Sequence, residues 1–122
     1  MASTGTGGNG RDPKCIFCKI IDRQVPSKIV LEDDDSIAIR DVNPQAPTHI
    51  LILPKDHIAN IGEADNAEAL GRLFQTATRV AKSEQLGQGY RLVVNTGNDG
   101  GQTVHHLHIH VIGGRAMRWP PG

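Results

Sequence analysis

The apolar positions change period several times along the chain. Over residues 63–86 they recur at three- and four-residue steps, at Ala67, Leu70, Leu73, Phe74, Ala77, Val80 and Ala81. That period predicts one long amphipathic helix with a single buried face, stopped by Gly87 and Gly89. Residues 15–22, CIFCKIID, predict a short helix that Pro26 keeps from extending. Residues 28–32 and 36–40 flank Asp33-Asp34-Asp35, whose charges resist burial, and read as a hairpin. Residues 41–48, DVNPQAPT, have no period and read as a loop. Residues 49–53, HILIL, are almost wholly apolar and stop at Pro54, as a central buried strand does. A strand over 90–95, a turn over 96–101 and a last strand over 104–112, closed by Gly113-Gly114, complete the reading. The order predicts an α+β domain: an antiparallel sheet of about five strands, one long helix packed on it, and a short N-terminal helix. Residues 1–13, beginning MASTGTGGNG, read as a flexible polar tail, and 14–122 as a single domain.

Composition narrows the function classes. A chain of 122 residues is one domain, long enough to hold a core without staples. Lys+Arg and Asp+Glu both number 13, which argues against a general polyanion-binding surface, so nucleic acid is not an expected partner. Trp119, Tyr90, Phe17 and Phe74 are too few aromatics for base-stacking platforms. No apolar run approaches the roughly 18 residues of a membrane span, and the first residues lack a secretory signal's basic start and apolar stretch. No membrane partner is expected. The two cysteines, Cys15 and Cys18, form one CxxC. The expected setting is cytoplasmic, with the nucleus as a second compartment, where metal or redox chemistry is commoner than a structural disulfide.

The unusual count is six histidines, four of them within residues 105–110. Side chains alternate faces along a strand, so His106, His108 and His110 share one face, expected to meet water, and Leu107, Ile109 and Val111 pack beneath the helix. His105 falls in the apolar phase. Neutral imidazole is a nucleophile near pH 7, and a neighbouring ring can handle protons. Rings about 7 Å apart can reach one phosphate and its leaving group, or a metal. Gly100 and Gly101 precede the strand and permit a close backbone approach to an anion, with Thr103 supplying a hydroxyl.

His106-Leu107-His108-Ile109-His110-Val111-Ile112 resembles the H-φ-H-φ-H-φ-φ pattern, φ being apolar, of the histidine triad family. Residues 41–58, DVNPQAPTHILILPKDHI, resemble its upstream segment, and 113–122, GGRAMRWPPG, resemble its Hint branch of purine nucleoside phosphoramidate hydrolases. The resemblance implies an enzyme that cleaves the P–N bond of purine nucleoside 5′-phosphoramidates. His108 would attack the α-phosphorus, a nucleotidyl-histidine would form, and water would release the nucleoside monophosphate. His110 would contact the phosphate, and Thr103 the leaving group or phosphate. Asp41 would hold the ribose, Val42 and Ile20 would neighbour the base, and Asn95 and Gly101 would line the nucleotide site. Trp119 would reach a partner's site in a homodimer paired through the long helix and the strand at 90–95. His49 opens the central strand and reads equally as a site residue or a satisfied core histidine. No metal is needed for catalysis.

The CxxC resembles other branches of the family, where two cysteines and two histidines bind a structural zinc; here the set would be Cys15, Cys18, His57 and His106. Read from the residues alone, the cysteines are equally two half-buried thiols on an amphipathic turn. If zinc takes His106, that ring cannot also be a proton donor, and His108 and His110 carry the chemistry. The rival readings are hydrolysis of adenosine 5′-phosphosulfate or of a dinucleoside polyphosphate, and a zinc-dependent interaction module with weak catalysis.

Overall fold

A computed structural model describes residues 10–122 of the chain. The expected tail over 1–13 therefore lies mostly outside the described residues. From Gly10 onward the chain is tied down: the Gly10 carbonyl accepts from His57 N–H, Arg11 donates to the Lys55 carbonyl, and Arg11 Nε meets Asp22 at 3.2 Å.

The elements in chain order are α1 (Ile16–Ile21), β1 (Ile29–Glu32), β2 (Ser36–Arg40), β3 (Thr48–Pro54), a 3-10 turn (Ile61–Glu63), α2 (Ala67–Ser83), β4 (Tyr90–Val93) and β5 (Ile109–Gly113). The strands form one five-stranded sheet in the order β1-β2-β3-β5-β4, with every pair antiparallel. The α+β expectation holds. β3 sits at the centre and is buried on both faces, as its unbroken apolar run requires.

The two faces of the sheet have different covers. On one, Ala38, Ile50, Ile52, Leu107, Ile109 and Val111 pack under Leu73, Ala77, Val80 and Ala81 of α2. On the other, Ile37, Ile39, Leu51 and Leu53 pack under Phe17, Cys18, Ile20 and Ile21 of α1. The histidines face α1. This second layer is thin, a helix of only 6 residues, and it covers the site.

Three elements differ most from the sequence reading. The long helix runs over Ala67–Ser83 rather than 63–86, because Asn66 caps it by accepting from Ala69 N–H and Gln85 ends it in the left-handed region at φ 61°. The strand at 90–95 closes at Val93. The last strand starts at Ile109, not 104. Its register against β3 pairs Ile109 with Ile52, so continuing it would set Leu107 opposite Pro54, which has no N–H to donate. The Leu107 N–H goes instead to the Ile58 carbonyl at 2.6 Å. The alternation still holds across residues 106–111, but most of the histidine face is withdrawn from water, with His110 half-buried. His106 is fully buried and His108 is 7% exposed. His105, expected in the apolar phase, is exposed, because it precedes the strand.

Candidate active site and metal centre

Each histidine of the triad has one proton to place when neutral, and its backbone neighbours place it. His108 Nδ1 lies 2.6 Å from the His106 carbonyl. A carbonyl only accepts, so the proton sits on Nδ1 and Nε2 keeps a free lone pair. His49 Nδ1 accepts from the Gln45 backbone N–H at 3.0 Å, which leaves its proton on Nε2. That Nε2 is 2.9 Å from His110 Nδ1 and 3.4 Å from Asp41 Oδ2. His110 therefore accepts at Nδ1 and carries its own proton on Nε2, a buried atom with no partner among the described residues. A buried donor left unpaired costs about 1–3 kcal/mol, and an anion's oxygen would satisfy it. The site thus offers a lone pair on His108 and an N–H on His110, their rings 4.9 Å apart.

Burial keeps this set neutral. It pushes the His110 pKa down to about 4, helped by His108 and His49. It lowers those of His108 and His49 as well, against the pull of Asp41. A neutral His108 is the nucleophilic form. A cleft of about 620 Å³ beside the cluster is lined by Lys28, Arg40, Asp41, Val42, Pro47 and His49. A larger cavity, about 830 Å³, lies between α2 and the acidic turn. Two of its arginines pair with its acids, Arg72 with Asp35 and Arg79 with Asp33, and its lining holds no histidine or cysteine.

Behind the triad, Cys15, Cys18, His57 and His106 bring their donor atoms within 4.8 Å of one another. His106 Nε2 is 2.9 Å from the Pro54 carbonyl and donates to it, so Nδ1 presents a lone pair to Cys15 Sγ at 3.4 Å and Cys18 Sγ at 3.6 Å. His57 Nδ1 is 3.4 Å from Cys18 Sγ. Zn–S near 2.3 Å and Zn–N near 2.0–2.1 Å set such donors about 3.6 Å apart in a tetrahedron. Backbone N–H groups of Asp12 and Cys18 donate to Cys18 Sγ and Cys15 Sγ, as thiolates require. Burial pushes the Cys18 thiol up to about 11, a cost that a divalent cation reverses. Burial also lowers His106 to about 4, so its ring is neutral and ready to ligate. The donor set fits zinc. A second group, Asp41, His49 and His110, does not fit a metal, because the Gln45 N–H occupies His49 Nδ1 and leaves the proton on the atom that would ligate.

The other expected residues lie outside this bonded cluster. Val42 is 97% exposed and Trp119 is 82% exposed. Gly101 and Thr103 are exposed and Asn95 is half-buried. Ile20 is buried under α1's apolar side. The amides of Gly97, Gly101 and Gln102 close the glycine-rich turn itself, bonding to Gln102 Oε1, the Asn98 carbonyl and the Gly97 carbonyl.

Sequence reasoning missed three contributors. Gln102 is buried, and its amide bonds the Ala59 and Val104 carbonyls, which pins the turn before the triad. Phe17 sets its ring edge-on to His106 and His108 at centroid distances of 5.9 and 5.1 Å. Arg115 donates to the Gln45 carbonyl at 3.1 Å, holding the residue whose N–H orients His49. A glutamine in a polar turn carries no local sign of burial. The signal for His49 was present, since it is the one titratable residue in an apolar strand.

The chain is similar to several known proteins. The HIT domain pattern matches residues 22–117. A protein of Arabidopsis thaliana named adenylylsulfatase HINT1 is 49% identical over 115 residues, 91% of this chain and 78% of that one. The 14 kDa zinc-binding protein of Zea mays is 50% identical over 115 residues, 91% of this chain and 90% of its own. The crystal structure of a HIT family hydrolase from Legionella pneumophila superposes with a TM-score of 0.87 at 47% identity, covering 89% of this chain and all of that one.

Proposed function

This chain belongs to the histidine triad (HIT) family, in its Hint-like branch, and from that premise we propose that it is a hydrolase cleaving the P–N bond of purine nucleoside 5′-phosphoramidates. The observation that carries the reading is the division of labour between two neutral rings. His108 Nε2 has a lone pair because the His106 carbonyl holds its other nitrogen's proton, and His110 Nε2–H is unpaired.

In the proposed reaction His108 Nε2 attacks the α-phosphorus, an N–P bond forms, and the P–N bond to the amine breaks. The amine takes up a proton from solvent as it leaves, with the Thr103 hydroxyl hydrogen-bonded to it. Charge on the phosphoryl oxygens is met by His110 N–H. Water then cleaves the nucleotidyl-histidine, releasing the nucleoside monophosphate and restoring the ring. Asp41 accepts from the ribose hydroxyls, Val42 borders the base, and Asn95 and Gly101 line the nucleotide. Cys15, Cys18, His57 and His106 would hold a zinc, which when bound cross-links segments of the chain and takes no part in the reaction. His106 is then a ligand and not an acid. The protein acts as a homodimer in which Trp119 approaches the partner's nucleotide, and it works in the cytoplasm, where its thiols stay reduced. Among the described residues no helix is long and apolar enough to cross a membrane.

The plant relative's name supports a second reading, attack on the phosphorus of adenosine 5′-phosphosulfate with sulfate leaving. The test is adenosine monophosphate release from both compounds by wild type and His108→Ala, with circular dichroism confirming the variant's fold. Faster release from the phosphoramidate, lost in the variant, is the expected result. Faster release from the phosphosulfate would move the assignment to the second reading. Undiminished turnover by the variant would remove His108 as nucleophile.

A further inference from the structure

His106 belongs to two constructions at once. Its ring faces Cys15 and Cys18 through Nδ1, and its backbone carbonyl receives the His108 Nδ1 proton at 2.6 Å. We infer that His106 is a positioning residue through which the metal centre fixes the tautomer of His108. The inference rests on the assignment of the four-residue cluster as a metal centre and of His108 as the nucleophile.

The backbone at His106 is held by a few bonds and by the burial of Leu107 in the core, not by strand pairing. Residues 102–108 are outside the sheet ladder, which begins at Ile109. The segment is anchored by the His106 Nε2–Pro54 bond, the Leu107 N–H to Ile58 bond and the Gln102 amide. The cluster ties this segment to the N-terminal turn, through the Asp12 N–H to Cys18 Sγ bond, to α1 through both cysteines, and to the loop after β3 through His57. Phe17 lies between the two cysteines in sequence and packs edge-on against both His106 and His108. One ion therefore clamps the carbonyl that accepts from the nucleophile and the helix that packs on it.

The chemical consequence concerns one proton. A neutral imidazole with its proton on Nδ1 has a lone pair on Nε2; with the proton on Nε2 it has none there to attack with. A carbonyl displaced by about 1 Å no longer makes a hydrogen bond of useful length. A net hydrogen-bond contribution of about 1–1.5 kcal/mol corresponds to about a tenfold change in the tautomer ratio. Loss of metal should therefore lower kcat by up to about tenfold, while KM, set by groups on the cleft side, stays within about twofold.

The experiment compares the full chain loaded with zinc and the same chain stripped by a chelator under reducing conditions. Metal content is measured first, then the ¹⁵N-edited imidazole spectrum, with the His108 signals assigned by their loss in His108→Gln. The expected result is stoichiometric zinc and a slowly exchanging His108 Nδ1–H that disappears on stripping, while circular dichroism shows the sheet retained. If stripping unfolds the chain, His57→Ala replaces it; His57 is the half-buried ligand, and three donors remain. Zinc titrated into that variant should then raise the Nδ1–H signal and kcat together at constant KM. Zinc that binds without changing the His108 signal or kcat overturns the positioning role and leaves the hydrolase reading intact. Zinc that does not bind overturns the metal assignment with it. An Nδ1–H that responds to zinc in a protein that hydrolyses neither nucleotide would support the coupling and sink only the substrate proposal.

Discussion

Four histidine rings lie in one small region, yet they present different nitrogens, because three meet different backbone groups and His110 meets His49. The Gln45 N–H, the His106 carbonyl and the Pro54 carbonyl set the tautomers of His49, His108 and His106 in turn. His49→Ala should lower kcat about 10–100-fold, since it frees the His110 ring to carry its proton on the wrong nitrogen. Steady-state kinetics with KM little changed would agree; unchanged kcat would not. Arg115→Ala, two links further out through Gln45, should give a smaller fall in the same direction. Burial first, then His108 and His49, hold the folded pKa of His110 at about 4, below the ordinary 6.5. A folded pKa below the unfolded value means that the unfolded chain binds more protons between the two. Its contribution to stability is complete above about pH 6.5 and is lost as pH falls toward 4. Tm should be flat above neutrality and drop across that window, and His110→Asn should make the drop shallower.

At the scale of elements, the glycine-rich turn and the segment after it decide where the triad sits. Gly100 admits no side chain, since a Cβ there would lie 2.3 Å from the Thr96 carbonyl oxygen. Gln102 is the turn's internal brace. Gln102→Leu leaves the Gly97 N–H and the Ala59 and Val104 carbonyls without that partner, each at a cost of about 1–3 kcal/mol where water cannot reach. Thermal unfolding should show a clear fall in Tm, and KM should rise as Thr103 and Gly101 lose their place. The brace was not legible in the sequence, where the glutamine stands among polar neighbours. The apolar alternation of Leu107, Ile109 and Val111 was legible, because hydrophobic period is local. The strand's start was not, because it depends on Pro54 falling opposite Leu107, a pairing between segments distant in sequence.

At the scale of the molecule, the sheet is covered by a long helix on one face and by a short one on the other. The second cover is where the cluster of cysteines and histidines lies, so a metal bound there would act on the same layer as the packing. Chelation should lower Tm by several degrees or more and restore on adding zinc, read by thermal unfolding under reducing conditions. β4 is an edge strand that exposes Tyr90, and natural sheets rarely leave such an edge open. Sedimentation equilibrium should return about twice the 13.2 kDa of one chain, in keeping with the proposed homodimer.

The sequence by itself determined the α+β class, the face on which α2 packs, the histidine face and the family, since period, punctuation and a contiguous motif are all carried by neighbouring residues. It also placed both cysteines and His57 as candidates. Only the tertiary structure decided which nitrogen of each ring carries the proton. A tautomer is set by a single donor or acceptor, and the groups that set these come from the loop at Gln45, the end of β3 at Pro54 and the turn before β5. The convergence of the CxxC on two histidines, which is consistent with a structural zinc, was likewise tertiary. It required Cys15 and Cys18 to meet rings 39 to 91 residues away, with lone pairs turned toward the sulfurs.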